Sequence, residues 1–381
     1  MLERRDINVM IDELKMTGDV IRQNIIDFKD ALAEKEELFT KNRFSKIYAV
    51  GCGDSLFAGE AAKMEFLRDT GVPYEACEAL EFCRYDVDYM PENALVFVIS
   101  YSGSVARTIE AAYIAKRKGA TVIAITGKPE NKLAKITSNS IIYKIQSLGF
   151  APGTISFTAS LMMMYMCAIK VGECSGYLSK EQVEDKYRKL EEIADLADQV
   201  ITENQEKAKN IMLGLKDRKK FYVIGAGPNY AIAKFAAAKF IEGAEIDGIY
   251  QELEEWAHEQ YFLSGPDTDT IIISPNGAGN SRAKELIKEM NFIETGSIYI
   301  TSSDCADGEA QHEMVIPGTF DEEFSPLLTS VAASLLGYYI SYANNKTSYN
   351  FRSKEQEEEH YMTLHCSEFR EELRDVDECY Q

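Results

Sequence analysis

Short β-branched runs alternate along the chain with amphipathic segments of ten to fifteen residues. Strands are predicted at 46–50, 95–100, 121–126 and 141–145, and helices at 55–69, 105–118 and 130–137. Strands that alternate with helices of this length are typical of a parallel sheet covered by helices. The pattern therefore predicts an α/β fold.

The strand pattern occurs twice. KIYAVGCG at 46–53 reappears as KFYVIGAG at 220–227, an offset of 174 residues. At the same offset Ser100 aligns with Ser274 and Gly103 with Gly277. TVIAIT at 121–126 and SIYITS, which starts at Ser297, follow within two residues of this shift. We therefore predict two copies of one domain, each with its own parallel sheet.

The segments outside the two copies are mostly helical in pattern. Residues 155–173 predict a buried core helix, because Ser, Thr and Lys interrupt a stretch that is too short for a membrane span. Ser179 followed by Lys-Glu-Gln is typical of a helix N-cap with a capping-box-like acid. We expect a helical extension at 1–40, a first domain at 41–175, a linker helix at 176–214, a second domain at 215–345 and a polar, acidic tail at 346–381.

Composition narrows the class of protein. Hydrophobic residues make up 45% and charged residues 27% of 381 residues, as in globular proteins. Lys and Arg number 41 against 62 Asp and Glu, so the net charge is −21. This charge disfavours nucleic-acid binding and docking on anionic membranes. The N-terminus shows no signal-peptide pattern, so we expect a cytoplasmic protein.

Cysteine and histidine spacing gives no sign of metal binding. The eight cysteines contain no CxxC pair, and the four histidines form no HExxH motif. We expect reduced thiols, no metal and no cofactor. His312, His360 and His365 are interpreted as surface residues, which leaves His258 as the histidine with a candidate function.

Two glycine- and serine-rich loops follow predicted strands of the first copy. Loops at the carboxyl ends of parallel strands lead into helix N-termini, whose free N–H groups bind anions. The first loop does not complete a dinucleotide fingerprint, because position 56 is Leu. The candidate residues for a sugar and its phosphate are Gly51, Cys52, Gly53, Asp54 and Ser55 in the first loop, and Ser100, Tyr101, Ser102, Gly103, Ser104 and the following Thr108 in the second.

These loops resemble those of the sugar isomerase (SIS) domain, a phosphosugar-binding α/β module with a flavodoxin-like, three-layer fold. The tandem arrangement over most of 41–345 resembles the isomerase half of glutamine:fructose-6-phosphate amidotransferases. The family's second copy carries G-x-G-x-x-Y and then Lys-x-x-Glu, found here at 225–230 and at Lys239–Glu242. Sixteen residues beyond that Glu the family has a His, and position 258 is His.

The resemblance implies roles for these three side chains. Glu242 would be the base that moves a proton between C1 and C2 of an open-chain sugar phosphate. Lys239, three residues earlier, would stabilise the developing oxyanion, and His258 would open the sugar ring. At the 174-residue offset the first copy has Glu65 and Arg68 instead, as expected if the active site is unique.

The sequence departs from the family at several points. Val105 replaces a phosphate-contacting Thr, so Ser104 or Thr108 is expected to substitute for it. Glu259-Gln260 replaces Gly-Pro after His258, which predicts a different acceptor side of the pocket. The C-terminal lysine of the family aligns with either Lys346 or Lys354. No glutaminase segment precedes the repeats, so we expect that glutamine is not the ammonia donor.

The sequence thus predicts a cofactor-free enzyme that acts on a ketose or aldose 6-phosphate derivative, as an amino-sugar-phosphate deaminase or a deglycase of sugar-phosphate–amine adducts. The alternatives are a ketose–aldose phosphate isomerase and a non-catalytic phosphosugar sensor. Trp256 is expected near the pocket. The resemblance also implies a homodimer with composite sites, in which His258 reaches the loops of the other chain.

Overall fold

The computed structural model describes residues 5–137 and 139–366. The strands are β1 Lys46–Gly51, β2 Tyr74–Glu78, β3 Ala94–Ile99, β4 Thr121–Thr126, β5 Ser140–Ile142, β6 Lys220–Gly225, β7 Asp247–Glu252, β8 Asp269–Ile273, β9 Gly296–Ser302 and β10 His312–Ile316. The helices are α1 Asn8–Leu14, α2 Thr17–Ala33, α3 Glu36–Lys41, α4 Asp54–Ala61, α5 Lys63–Thr70, α6 Ala79–Glu81, α7 Ala106–Arg117, α8 Lys132–Ile136, α9 Ile155–Ser175, α10 Lys180–Gly214, α11 Pro228–Lys239, α12 Leu253–His258, α13 Asn280–Phe292, α14 Pro326–Ala343 and α15 Lys354–His365.

The strands form two five-stranded sheets of the same topology. The first has the order β2-β1-β3-β4-β5, and the second, read from its other edge, has the matching order β7-β6-β8-β9-β10. Every described pairing is parallel. Central strands such as β3, buried at all six positions, explain the continuous apolar runs in the sequence. The predicted α/β class with parallel sheets is confirmed, and the repeated order is consistent with a tandem pair.

Two strands lie where the sequence pattern predicts none. The strands β2 and β7 are both edge strands, with the sequences YEACE and DGIYQE. An edge strand pairs with a neighbour along one edge only, and the side chains of these two strands are partly exposed, so neither strand needs a continuous apolar run. The helix predicted at 55–69 is divided at Ala62 into α4 and α5.

Contacts along the chain divide it into two compact units. One unit contains 1–22, 146–158 and 188–350, and holds the second sheet. The other contains 23–145, 159–187 and 351–381, and holds the first sheet. Their sequence ranges interleave because α2, α9 and α10 each pass from one unit to the other.

Two long helices behave as the sequence predicts. Among the described residues, α9 is the one helix long and apolar enough to cross a membrane, but 89% of its apolar window is buried inside the protein. We therefore assign α9 to the core. The helix α10 begins with a capping box in which Ser179 Oγ accepts the Gln182 N–H, while the Gln182 side chain accepts the Ser179 N–H. The reciprocal partner is thus an amide side chain rather than an acid.

Candidate functional site

The two predicted loops of the first copy lie at the carboxyl ends of neighbouring strands. β1 and β3 pair in parallel, with Val50 opposite Val98, so that both strands end at the same edge of the sheet. The chain order 2-1-3 reverses between these two strands, which makes the gap between their loops the switch point of the sheet. Ligands of open parallel sheets bind in this crevice.

The loop after β1 turns tightly into α4. A β-carbon on Gly51 would lie 2.9 Å from Leu56 N, so the turn closes only around glycine. Gly53 has a φ of +54°, which side-chain-bearing residues rarely adopt, and the space around its missing side chain is open. Ser55 donates its N–H to the Cys52 carbonyl, and Asp54 begins the helix. The loop therefore presents open backbone at a helix N-terminus.

The Cys52 side chain is a neutral hydrogen-bond donor in this loop. Its Sγ lies 3.2 Å from Glu78 Oε1 at the end of the adjacent β2. Burial, and then the Glu78 carboxylate, raise the pKa of Cys52 to about 12. A thiol with this pKa is a poor nucleophile at neutral pH. Cys52 thus helps to hold the loop against β2.

The loop after β3 is a cluster of hydroxyl groups around a buried turn. Ser100 is buried, and its Oγ accepts the Gly103 N–H at 3.2 Å. Ser102 is exposed, and its Oγ accepts both the N–H and the hydroxyl of Ser104, at 3.3 and 3.0 Å. Tyr101 stacks on Tyr143, with ring centroids 5.8 Å apart. The sequence predicted this grouping of serines, and the turn brings them together.

The start of α7 leaves its first turn without a side-chain cap among the described residues. The N-cap is Val105, whose side chain has no oxygen to accept a backbone N–H. Thr108 is buried, and its hydroxyl donates to the Val105 carbonyl at 2.8 Å, so the hydroxyl proton already has an acceptor. Arg107, the nearest cation in sequence, forms an ion pair with the buried Glu110. Of the two substitutes for the family's Thr, Ser104 is therefore the more accessible.

A residue interpreted as a surface histidine lies against this loop. His365, the last residue of α15, has its Nδ1 3.0 Å from the Ser104 carbonyl oxygen. The two residues are 261 positions apart in sequence, so no local pattern signals the contact. The region after residue 366, which contains the rest of the predicted tail, lies outside the described residues.

The equivalent loops of the second copy are filled by a side chain of the protein itself. Gly227 and Gly277 keep the positive φ values of Gly53 and Gly103, 174 residues earlier. The Glu322 carboxylate lies over Gly277, where a β-carbon would be 2.0 Å from its Cδ. It also accepts the Ala278 N–H at 3.3 Å. In the first copy the neutral Asn131 amide lies over the equivalent Gly103, so the two copies differ in the charge of the group on this turn.

Lys239 and Glu242 form a partly buried ion pair. Lys239 is fully buried at the end of α11, and its Nζ lies 2.9 Å from Glu242 Oε2. Glu242 is 31% exposed and sits in a π-helical turn at Phe240–Ala244. Gly337 of α14 leaves room for the lysine, because a β-carbon there would lie 2.8 Å from Lys239 Cβ. Such π-turns are common at functional sites, and a buried ammonium differs from the exposed pair typical of this spacing.

His258 lies at the exposed end of α12 in the same unit. Its side chain is 65% exposed, and its Nε2 is 3.5 Å from Glu254 Oε1. Arg282 also binds Glu254, at 2.6 Å, and holds the pKa of that carboxyl below its usual range. Trp256 is fully buried in the core beside Tyr261, so the expectation that it lines a pocket is wrong. Its indole packs under the sheet because α12 turns its apolar face inward.

The two candidate C-terminal lysines lie in different units. Lys346 forms an ion pair with Glu245, immediately after the π-turn that carries Glu242. Nearby, Tyr349 donates its N–H to the Glu242 carbonyl at 3.2 Å. Lys354 is 83% exposed at the start of α15 and faces Glu358. Lys346 is therefore the one that accompanies the Lys239–Glu242 pair within its unit.

One group of potential metal ligands occurs in the described part of the chain. Glu75, Cys77 and Asp86 each offer an atom within 4.8 Å of the others. The Lys46 ammonium forms an ion pair with Glu75, so a cation already occupies part of this group. Glu75 and Cys77 lie on the edge strand β2, and Asp86 ends the π-helical turn Phe82–Asp86.

Comparisons with known proteins agree with this geometry. Residues 39–170, which include both loops of the first copy, match the model of the SIS domain. The chain is 27% identical over 335 residues to glutamine–fructose-6-phosphate aminotransferase (isomerizing) of Clostridium tetani, a match that covers 87% of this chain and 54% of that protein. The chain thus spans about half the length of the curated relatives it matches.

Solved structures share the fold over nearly the whole chain. The C-terminal domain of glucosamine-fructose-6-phosphate aminotransferase from Francisella tularensis superposes with a TM-score of 0.83 at 18% identity, covering 90% of this chain and 98% of that one. Glucosamine-6-phosphate deaminase from Thermotoga maritima gives a TM-score of 0.67 at 20% identity, covering 87% and 95%. Residues 39–170 are accordingly similar to the SIS domain, and the chain is similar to the matched half of the isomerizing aminotransferase.

Proposed function

We propose that the protein is a phosphosugar-processing enzyme that removes an amine from a sugar 6-phosphate, as an amino-sugar-phosphate deaminase or a deglycase of sugar-phosphate–amine adducts. The observation that carries the proposal is the buried Lys239 ammonium 2.9 Å from the partly exposed Glu242 carboxylate. Burying an ammonium is costly, and a purely structural pair at this spacing gains little from it. In a proton-transfer site, the pair would supply a fixed positive charge from Lys239 and a base, Glu242, in a fixed position.

The phosphate of the substrate is assigned to the loops of the first copy. The Ser100–Ser104 loop supplies hydroxyl groups and backbone N–H groups, and Gly53 supplies open space beside them. In the second copy, Glu322 repels an anion from the equivalent place. We therefore expect one phosphosugar per chain.

The chemistry needs no oxidant or reductant. After the ring opens, Glu242 takes a proton from C1 or C2 of the sugar, and the proton is returned to the neighbouring carbon. For an amine-bearing sugar the carbonyl oxygen also gains a proton and the nitrogen loses one, so that the carbonyl becomes a hydroxyl group and the amine becomes an imine. Water adds to the imine, which breaks into a sugar-phosphate carbonyl compound and a free amine. Lys239 stabilises the oxygen that carries negative charge during the shift.

Ring opening is assigned to His258 of a second chain. The side chain is 65% exposed, and Phe262 and Leu263 just beyond it are 78% and 67% exposed. Exposed apolar side chains beside a histidine suit a two-fold contact in which each patch meets its own copy. We therefore propose a homodimer in which His258 of one chain approaches the Gly51–Ser55 and Ser100–Ser102 loops of the other.

The test is a mass-spectrometric assay of the purified protein with amino-sugar 6-phosphates, amino-acid adducts of sugar 6-phosphates and plain ketose and aldose 6-phosphates, in D2O. Release of amine together with deuterium at C1 or C2 of the product is the expected result. Deuterium exchange and ketose–aldose conversion of the plain sugars alone would identify an isomerase. Binding with no deuterium incorporation would identify a sensor, and either outcome would overturn the proposal.

A further inference from the structure

The helix α15 touches the proposed phosphate loop through its last residue. Every residue of α15 is partly or fully exposed, so packing alone holds this helix weakly. His365 Nδ1 lies 3.0 Å from the Ser104 carbonyl oxygen, and Ser104 is one of the two linked serines of the loop. The imidazole ring also stacks on Tyr361, at 5.9 Å and an interplanar angle of 10°. The ring is thus held from two sides beside Ser104.

The hydrogen bond fixes which nitrogen faces outward. A carbonyl oxygen can only accept, so Nδ1 carries the proton in this contact. Among the described residues Nε2 has no hydrogen-bond partner. When the ring is protonated, Nε2 becomes a positively charged donor, and when it is neutral Nε2 is an acceptor. In either form the ring offers a polar atom beside Ser104.

A positive charge at this loop would favour the binding of a phosphate. Its serines and glycines are neutral, the chain carries a net charge of −21, and Arg107 is engaged by Glu110. A phosphate dianion bound by neutral donors alone would have no cationic partner, whereas a positively charged donor adds Coulomb attraction to the hydrogen bond. Among the described residues His365 contacts the loop, and an imidazole is a side chain that can carry such a charge.

We propose that His365 is a ligand-binding residue of this site, and that its Nε2 contacts the phosphate of a phosphosugar held by Ser100–Ser104. The inference rests on the proposed function, because it requires the phosphosugar to bind in the first copy. It assigns to α15 a contribution to ligand affinity through its last residue.

Three variants of the full chain separate this role from a structural one. His365→Ala removes the ring and the contact with Ser104. His365→Asn keeps an N–H that can reach the Ser104 carbonyl but cannot carry a charge. His360→Ala is the control on the same helix, because His360 contacts Phe351 and Tyr361 instead of the loop.

Affinity for fructose 6-phosphate and for inorganic phosphate is measured by calorimetry, and hydrogen–deuterium exchange is followed at 100–104 and 354–365. We expect both His365 variants to bind each probe about tenfold or more weakly than the wild type. Hydrogen–deuterium exchange in His365→Asn should match that of the wild type. His360→Ala should bind as the wild type does. If the wild type binds the probes and both His365 variants bind them equally well, this inference is wrong while the proposed function stands. Full affinity in His365→Asn would also overturn it, since position and not the ring would then matter. A wild type that bound neither probe would overturn the proposed function together with the inference.

Discussion

The Glu322 carboxylate lies over Gly277 and accepts the N–H of the next residue, Ala278, at 3.3 Å. In the first copy the neutral Asn131 amide lies over the equivalent Gly103. Both glycines have a positive φ, which is 62° at Gly103 and 84° at Gly277. The two copies thus share a backbone turn but place groups of different charge on it, and this difference supports our proposal that the phosphate binds in the first copy.

Matched substitutions at these two glycines test the asymmetry. Alanine at either position is strained by the positive φ and collides with the side chain above it, so each variant should lose about 1–3 kcal/mol of unfolding free energy. Gly103→Ala should also weaken phosphosugar binding, while Gly277→Ala should not. Denaturant unfolding and calorimetry measure the two quantities. Equal loss of binding in both variants would contradict a single site in the first copy.

Glu242→Gln should lower turnover by about two orders of magnitude or more, because the amide cannot accept the proton. The affinity for the phosphosugar should stay the same, since the phosphate is assigned elsewhere. Glu245→Gln is the control, because it removes a neighbouring carboxylate that only pairs with Lys346. Steady-state assays and calorimetry on both variants check this, and near-wild-type turnover in Glu242→Gln would refute the base assignment.

Mixed dimers test whether the sites are composite. Glu242→Gln and His258→Ala chains, each inactive alone, should regain partial activity after subunit exchange, because one site in the mixed dimer then has both intact residues. Exchange is verified by differently tagged chains. No recovery after verified exchange would mean that each chain carries a complete site of its own.

A buried acidic pair predicts a pH dependence of stability that is independent of the site. Glu65 is fully buried beside Asp69, and burial followed by the Asp69 charge raises the pKa of Glu65 well above its ordinary value, although Lys186 opposes this. The folded state therefore holds a proton that the unfolded chain loses above about pH 4.5. This contribution to stability is complete below that pH and is lost as pH rises through the folded pKa.

Glu65→Gln keeps a neutral side chain at all pH values, so its unfolding free energy should rise relative to the wild type as pH increases from 5 to 8. Urea unfolding across this range measures the difference. Glu36→Gln is the control, because Lys170 lowers the pKa of the exposed Glu36; this carboxyl is ionised in both states above pH 5, so the effect of its replacement should stay constant from pH 5 to 8. A difference for Glu65→Gln that does not change with pH would contradict the shifted pKa.

The sequence by itself determined the α/β class, the repeat and the loops that carry the candidate phosphate site. Strands such as β3 are buried on both faces, so they appear as continuous apolar runs, and the turns after them need glycine and serine locally. The pairing of Lys239 with Glu242 was also predictable, because three residues separate them.

The tertiary structure decided what depends on distant parts of the chain. The edge strands β2 and β7 lack the apolar run, so only their pairing with β1 and β6 identifies them. The full burial of Lys239 depends on the room that Gly337 leaves, and Glu322 and His365 reach their loops from 44 and 261 residues away. Such contacts leave no periodic trace in the sequence, because periodicity records only which face of an element is buried and not which side chain arrives there.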